Sequence, residues 1–106
     1  MISKKKKYIY IFGTGGLSEV ISEIIIKSYN YSIKAYIDNG LRETYKNKKV
    51  YTLDKFIENF ENEEIIIAVG ENIKRKFVFD KLSVKRFKYP NIVCDSAFLS
   101  TTSKLG

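Results

Sequence analysis

The stretch YIYIFGTGGLSEVISEIIIKS, residues 8–28, decides the fold of this chain. Its first five residues form a short, continuous apolar run, which is typical of a strand buried on both faces of a parallel sheet. Glycines end the run, and apolar side chains then recur at three- and four-residue spacing, which predicts an amphipathic helix. The predicted inner face of that helix consists of Leu17, Val20, Ile21, Ile24, Ile25 and Ser28.

The rest of the chain continues the alternation of strand and helix. Further strands are predicted at residues 33–37, 64–69 and 87–93, and Pro90 places the last one at a sheet edge. Residues 41–49 are interpreted as a loop, followed by a short extended piece at residues 50–51. Helices are predicted at residues 53–60, capped by Thr52, and from Asn72, as the cap, to residue 82. The predicted inner face of the last helix consists of Ile73, Phe77, Val78 and Leu82.

This order of elements predicts the fold class. Strands that alternate with helices imply parallel pairing through right-handed crossovers. We therefore expect an α/β domain of three layers, with a parallel sheet of about four strands. With 106 residues, the chain has the length of one domain.

Composition excludes several kinds of site. The chain has no His and one Cys, which rules out an internal disulfide and argues against a metal site built on His or Cys clusters. Without an imidazole, neither Cys94 nor any Ser or Thr has the usual base to activate it. We therefore predict no catalytic residues and no metal ligands in this chain.

The formal net charge of +7 has two interpretations. It can mark an anionic partner, either nucleic acid or a membrane surface, or it can reflect the Lys- and Ile-rich composition that AT-rich genomes produce. The lysines are spread along the sequence, with one run at residues 4–7, and this favours the compositional interpretation. No stretch approaches the ~20 apolar residues that span a bilayer. We expect a cytoplasmic protein with no membrane partner and no nucleic-acid partner.

The turn Gly13-Thr14-Gly15-Gly16 is the first candidate binding element. Glycines between a strand and a helix let the backbone approach an anion closely, and the helix N-terminus then supplies free N–H groups and a favourable dipole. The full dinucleotide fingerprint has a further glycine where this chain has Ser18. We predict that the turn binds phosphate; the alternative is a tight turn without a ligand.

Two further segments are predicted to lie near this turn. Asp38, with Asn39, follows the second strand at about the offset where dinucleotide folds place an acid for the ribose hydroxyls; the alternative is an Asx turn that opens the loop. Gly70-Glu71-Asn72 follows the third strand, with Lys74 and Arg75 just inside the helix beyond. Because ligands bind at the carboxyl ends of parallel strands, these segments are candidates for the same site.

Taken in order, these motifs resemble one family. Residues 8–16, 36–39, 67–76 and 96–100 follow each other as in the N-terminal domain of bacterial sugar O/N-acyltransferases, which include the sialic-acid O-acetyltransferases and the bacillosamine-pathway N-acetyltransferases. The chain differs from that pattern at Leu17, where the family has His, and at Cys94-Asp95, where it has His-Pro. The resemblance implies a Rossmann-like domain over residues 1–95 and a linker at residues 96–106.

The resemblance also implies a function and a set of site residues. The domain would bind a nucleotide-sugar such as a UDP- or CMP-sugar, while a left-handed β-helix domain outside these residues would bind acetyl-CoA, form a homotrimer and transfer the acetyl group. No cofactor is expected on this chain itself, which is either a fragment or a free-standing module. The implied substrate-binding residues are Gly13, Thr14, Gly15, Gly16, Asp38, Asn39, Gly70, Glu71, Asn72 and Arg75. The alternatives are an NAD-type dinucleotide-binding domain and a non-enzymatic basic interaction module.

Overall fold

A computed structural model describes residues 7–29, 31–40 and 42–90. The predicted linker at residues 96–106, the end of the predicted fourth strand and most of the lysine run lie outside the described residues. The elements, in chain order, are β1 (Lys7–Phe12), α1 (Gly16–Ser28), β2 (Tyr31–Ile37), β3 (Thr44–Tyr45), β4 (Lys48–Tyr51), α2 (Leu53–Asn59), β5 (Ile65–Ile67) and α3 (Asn72–Leu82).

The sheet confirms the predicted fold class. Five strands lie in the order β3-β4-β2-β1-β5. All neighbours pair in parallel except β3 and β4, which are antiparallel. Because β1 lies between β2 and β5 and runs parallel to both, the carboxyl ends of these three strands meet at one edge of the sheet. The glycine turn follows β1 at that edge.

Two apolar clusters fill the space on either side of the sheet. On one face, Ile9 and Ile11 of β1 pack with Ile21 and Ile25 of α1. On the other, the alternate residues of β1 pack with α2 and α3, around the fully buried Phe56. This alternation along β1 explains why the strand is apolar throughout, and it gives the three layers expected from the sequence.

Helix α1 begins where the spacing predicted, but its buried face is rotated about the helix axis relative to the predicted inner face. Ser18 and Ser22 are buried, whereas Val20 and Ile26 are exposed. The hydroxyl of Ser22 donates to the Ser18 carbonyl (2.6 Å) and lies 3.0 Å from the Tyr36 hydroxyl. The prediction that Val20 faces inward was therefore wrong, because two serines, which apolar periodicity does not count, occupy the inner face, and Ser22 is hydrogen-bonded there.

The interpretation of residues 41–49 as a loop was wrong in part, because β3 and the start of β4 form a hairpin there. Its two turn residues, Lys46 and Asn47, both have positive φ, at 50° and 64°. This is the geometry of a type I′ turn, which matches the twist of the flanking strands. The usual Asn-Gly or Asp-Gly signal is missing, so the sequence pattern did not indicate it.

Three predictions concern α2 and α3: the cap of each helix and the inner face of α3. The structure confirms the first and departs from the other two. Thr52 caps α2 as predicted, through its hydroxyl and the Lys55 amide (3.3 Å). Asn72 is not the cap of α3; Glu71 occupies that position, with no capping side chain. Val78 and Leu82 are buried, but Ile73 and Phe77 are exposed, so half of the predicted inner face was wrong.

The last predicted strand is reduced to a single contact where the structure describes it. Lys88 forms an isolated parallel bridge with Glu64, beside β5. The Ile65 amide donates to the Lys88 carbonyl (2.9 Å), and the Lys88 amide donates to the Glu63 carbonyl (2.9 Å). The chain therefore does reach the edge of the sheet at this point, although Pro90 follows two residues later.

Candidate ligand-binding cleft

A cleft of about 570 Å³ opens at the carboxyl edge of the sheet. It lies where the turns after β1, β2 and β5 meet the first turns of α1 and α3. This is the place where open α/β sheets bind their ligands. The lining residues are Phe12, Gly13, Thr14, Gly15, Gly16, Leu17, Asp38, Arg42, Ala68, Val69, Gly70, Glu71 and Lys74.

Gly13 is glycine for a structural reason. Its φ is +119°, a conformation that L side chains rarely adopt, and a Cβ on it would lie 2.7 Å from the carbonyl oxygen of Ala68. Its amide donates to the Ile37 carbonyl (2.8 Å), and the Ala68 amide donates to the Phe12 carbonyl (2.8 Å). Gly13 therefore allows the ends of three strands to come together at the floor of the cleft.

Gly15 and Gly16 are different, because neither the backbone nor the packing of the protein requires them. A Cβ on either residue would meet nothing within 4 Å, and Gly15 has ordinary extended backbone (φ −95°). Gly15 caps α1 without a side-chain hydrogen bond. The first N–H groups of the helix have no partner within the helix. Both glycines thus keep space open beside amides that can bind an anion.

Thr14 and Asp38 join the first two turns. The Thr14 hydroxyl donates to Oδ2 of Asp38 (2.5 Å), and the Gly40 amide donates to Oδ1 (2.9 Å). The second bond is the Asx turn considered as an alternative for Asp38. Asp38 forms this turn and also lines the cleft, because one carboxylate oxygen bonds Gly40 and the other bonds Thr14.

The electrostatic surroundings keep Asp38 ionised. Burial raises its pKa, but the hydrogen bonds from Thr14 and Gly40 and the charges of Lys74 and Arg42 lower it by more, so that the pKa lies below its ordinary value. Asp38 is therefore a fixed anion, suited to accept hydrogen bonds from hydroxyl groups of a ligand.

This pKa gives a testable prediction. Thr14→Val removes a donor to the carboxylate, so the pKa of Asp38 should rise, as measured by carbon NMR titration of the carboxyl group. Because a lowered pKa stabilises the fold above the unfolded-state value, the variant should lose about 1 kcal/mol at neutral pH. The difference should disappear as the pH falls through the folded-state pKa. An unchanged carboxyl titration would contradict the role assigned to this bond.

Two cations line the cleft that are not among the implied substrate-binding residues. Lys74 lies in the first turn of α3, and Arg42 follows β2, with its guanidinium 5.2 Å from the ring of Tyr45. The sequence indicated Lys74, because it lies just inside the helix that follows Gly70. It did not indicate Arg42, because that residue lies in the segment interpreted as an unstructured loop.

Three predicted site residues do not line the cleft. The side-chain oxygen of Asn39 accepts from the Leu53 amide (2.9 Å), where it supports the start of α2. Arg75 donates to the carbonyls of Val69 (3.0 and 3.1 Å) and Gly70 (3.4 Å), and also to Asn72 Oδ1 (3.4 Å). Arg75, with Asn72, therefore stabilises the turn between β5 and α3 without lining the cleft. The seven other predicted residues lie along the cleft.

The described residues offer neither a metal cluster nor a membrane span. No group of three or more potential ligands for a metal ion occurs within residues 7–29, 31–40 and 42–90. In the same part of the chain, no helix is both long enough and apolar enough to cross a bilayer.

The sheet order and the glycine turn define a Rossmann-like α/β domain, with a cleft at the carboxyl edge of its sheet. Residues 8–82 match the model of the PglD N-terminal domain. The chain belongs to this family, and the resemblance stated from its motifs is confirmed. No curated protein matches it in sequence.

Solved structures share the fold at low sequence identity. The acetyltransferase domain of PglB from Neisseria gonorrhoeae has 24% identity over 80% of this chain and a TM-score of 0.66. A second structure of that domain, in complex with acetyl coenzyme A, has 20% identity over 76% of this chain and a TM-score of 0.62. RSP, a Rex-family repressor, has 12% identity over 95% of this chain and a TM-score of 0.57. The chain spans 43% and 40% of the two PglB structures and 59% of RSP.

Proposed function

We propose that this domain binds a nucleotide-sugar and presents the sugar to an acetyltransferase domain that uses acetyl-CoA. One observation carries the proposal: Gly15 and Gly16 leave open space beside the uncapped start of α1, at a cleft that also contains Lys74. A diphosphate has the size and charge to occupy that space. Membership of the PglD N-terminal domain family supports the acetyltransferase context.

Different residues of the cleft are assigned to different parts of the ligand. In this proposal the amides of the glycine turn bind the diphosphate, and Lys74 and Arg42, which line the same cleft, supply positive charge. Asp38, held ionised, accepts from the ribose hydroxyls. Because the chain has no His, the base for acetyl transfer comes from the acetyltransferase domain, which also holds acetyl-CoA.

Calorimetric titration tests the proposal with a panel of UDP-sugars, CMP-sialic acid and NAD. We expect heat from a nucleotide-sugar and weaker binding of NAD, because Ser18 replaces the third glycine of the dinucleotide fingerprint. Preference for NAD would favour the dinucleotide-binding alternative, which shares the fold of the Rex-family repressor. A folded protein that binds none of these ligands contradicts the proposal.

Two variants test the site within the cleft. Gly15→Val places a branched side chain in the open space and should abolish binding without unfolding the protein. Lys74→Gln should weaken binding about tenfold, since a hydrogen bond to a charged group contributes roughly 1.5 kcal/mol. Lys76→Gln is the matched control, because Lys76 lies on the same helix but outside the cleft lining. Equal effects of the two lysine variants would argue against a diphosphate at this position.

A further inference from the structure

The positive charge of the chain is concentrated in one region. From Asn72 to Lys88 there are seven Lys and Arg residues and one acidic residue, Asp80, which gives +6 of the total net charge of +7. The rest of the chain is therefore close to neutral overall. These 17 residues hold seven of the 19 Lys and Arg residues of the chain and one of its 12 acidic residues, and this uneven distribution creates the basic region. It comprises α3 and the segment that follows it.

The same region carries most of the exposed apolar side chains. Of the eight large apolar side chains that stand exposed in the described residues, five lie between residues 73 and 89. They are Ile73, Phe77, Phe79, Val84 and Tyr89. Ile73 is 81% exposed and Phe77 is 54% exposed, so neither side chain is part of the core.

Helix geometry places two of these residues, Ile73 and Phe77, on one surface of α3. Val78 and Leu82 face the core, and Ile73 and Phe77, which are four residues apart, lie together on the opposite side. Lys76 and Lys81 flank this pair on the helix. Lys81 Nζ lies 5.8 Å from the centre of the Phe77 ring and 3.7 Å from Oδ1 of Asp54. We call Ile73, Phe77, Lys76 and Lys81 the α3 surface.

Contrary to the expectation from the sequence that the chain has no membrane partner, we propose that the α3 surface binds reversibly to membranes that contain anionic lipids. Apolar side chains flanked by lysines on the outer side of a helix fit the boundary between acyl chains and headgroups. Each lysine near an anionic surface adds roughly a fivefold gain in binding. Nucleic acid would match the charge but would leave Ile73 and Phe77 in water. A bilayer accommodates both features.

Co-sedimentation with vesicles tests this proposal on the full chain. We expect binding to vesicles of mixed phosphatidylglycerol and phosphatidylcholine, no binding to phosphatidylcholine alone, and weaker binding at higher salt. The double variant Ile73→Ala/Phe77→Ala should reduce binding to the anionic vesicles at least tenfold. Lys76→Gln should reduce it about fivefold.

Matched controls separate a specific surface from general attraction. Val20→Ala/Ile26→Ala removes two other exposed apolar side chains, from α1, and Lys55→Gln removes an exposed lysine from α2; both variants should bind like the unchanged protein. Similar losses for the α1 and α3 double variants would overturn the proposal. So would binding that depends only on the lysines at residues 4–7, tighter binding to single-stranded RNA at the same salt, or no sedimentation with anionic vesicles.

Discussion

Replacing Gly13 with alanine is expected to lower the free energy of unfolding by about 3 kcal/mol or more. The added Cβ would lie 2.7 Å from the Ala68 carbonyl oxygen, on a residue whose φ is +119°. The oxygen belongs to the backbone just beyond β5, so it cannot move aside as a flexible side chain would. A domain of this size has a total stability of roughly 5–15 kcal/mol, so the loss would be visible in urea denaturation at room temperature.

Gly15→Ala is the matched control for this prediction. Gly15 has φ −95°, and a Cβ added to it would have no atom within 4 Å. Alanine is a poorer helix cap than glycine, but it also reduces the entropy of the unfolded chain, and these effects offset each other to within about 0.5 kcal/mol. If both variants lose the same stability, the close approach of the β1 and β5 ends is not what requires Gly13.

The fold was predictable because its strongest signals are local. A continuous apolar run, a glycine turn and a helical repeat in succession permit few arrangements. The hairpin of β3 and β4 was missed because Lys46 and Asn47 adopt positive φ without a glycine. The inner face of α3 was partly mistaken because periodicity counts Ile73 and Phe77 as core residues, although both side chains are exposed.

The candidate site was predictable to the extent that it consists of backbone. The turns after β1 and β5 meet at one sheet edge in any parallel sheet of this order, which brings Gly13 and Gly70 to the same cleft. Side chains were harder to place. Asn39 and Arg75 belong to the right segments, but their hydrogen bonds go to the protein backbone. Which partner a side chain bonds depends on distances in the folded structure, and the spacing of residues in the sequence does not give those distances.

Phe56→Ala should be the most damaging substitution in the core, with an expected loss of about 3–5 kcal/mol. Phe56 is fully buried. Its ring centre lies 5.0 Å from that of Tyr10 on β1, 5.2 Å from that of Phe60 and 5.0 Å from that of Phe87. The side chain thus connects α2, strand β1 and the segment after α3. Removing the ring leaves a cavity, because the three surrounding parts of the chain cannot all move inward to fill it.

Phe77→Ala removes the same atoms from a site that is 54% exposed. Much of this ring is already in water, so we expect a loss of about 1 kcal/mol or less. Urea denaturation of both variants, with similar slopes, measures the difference directly. A loss at Phe77 as large as that at Phe56 would mean that the outer side of α3 is part of the core, and the α3 surface would then not be available to a membrane.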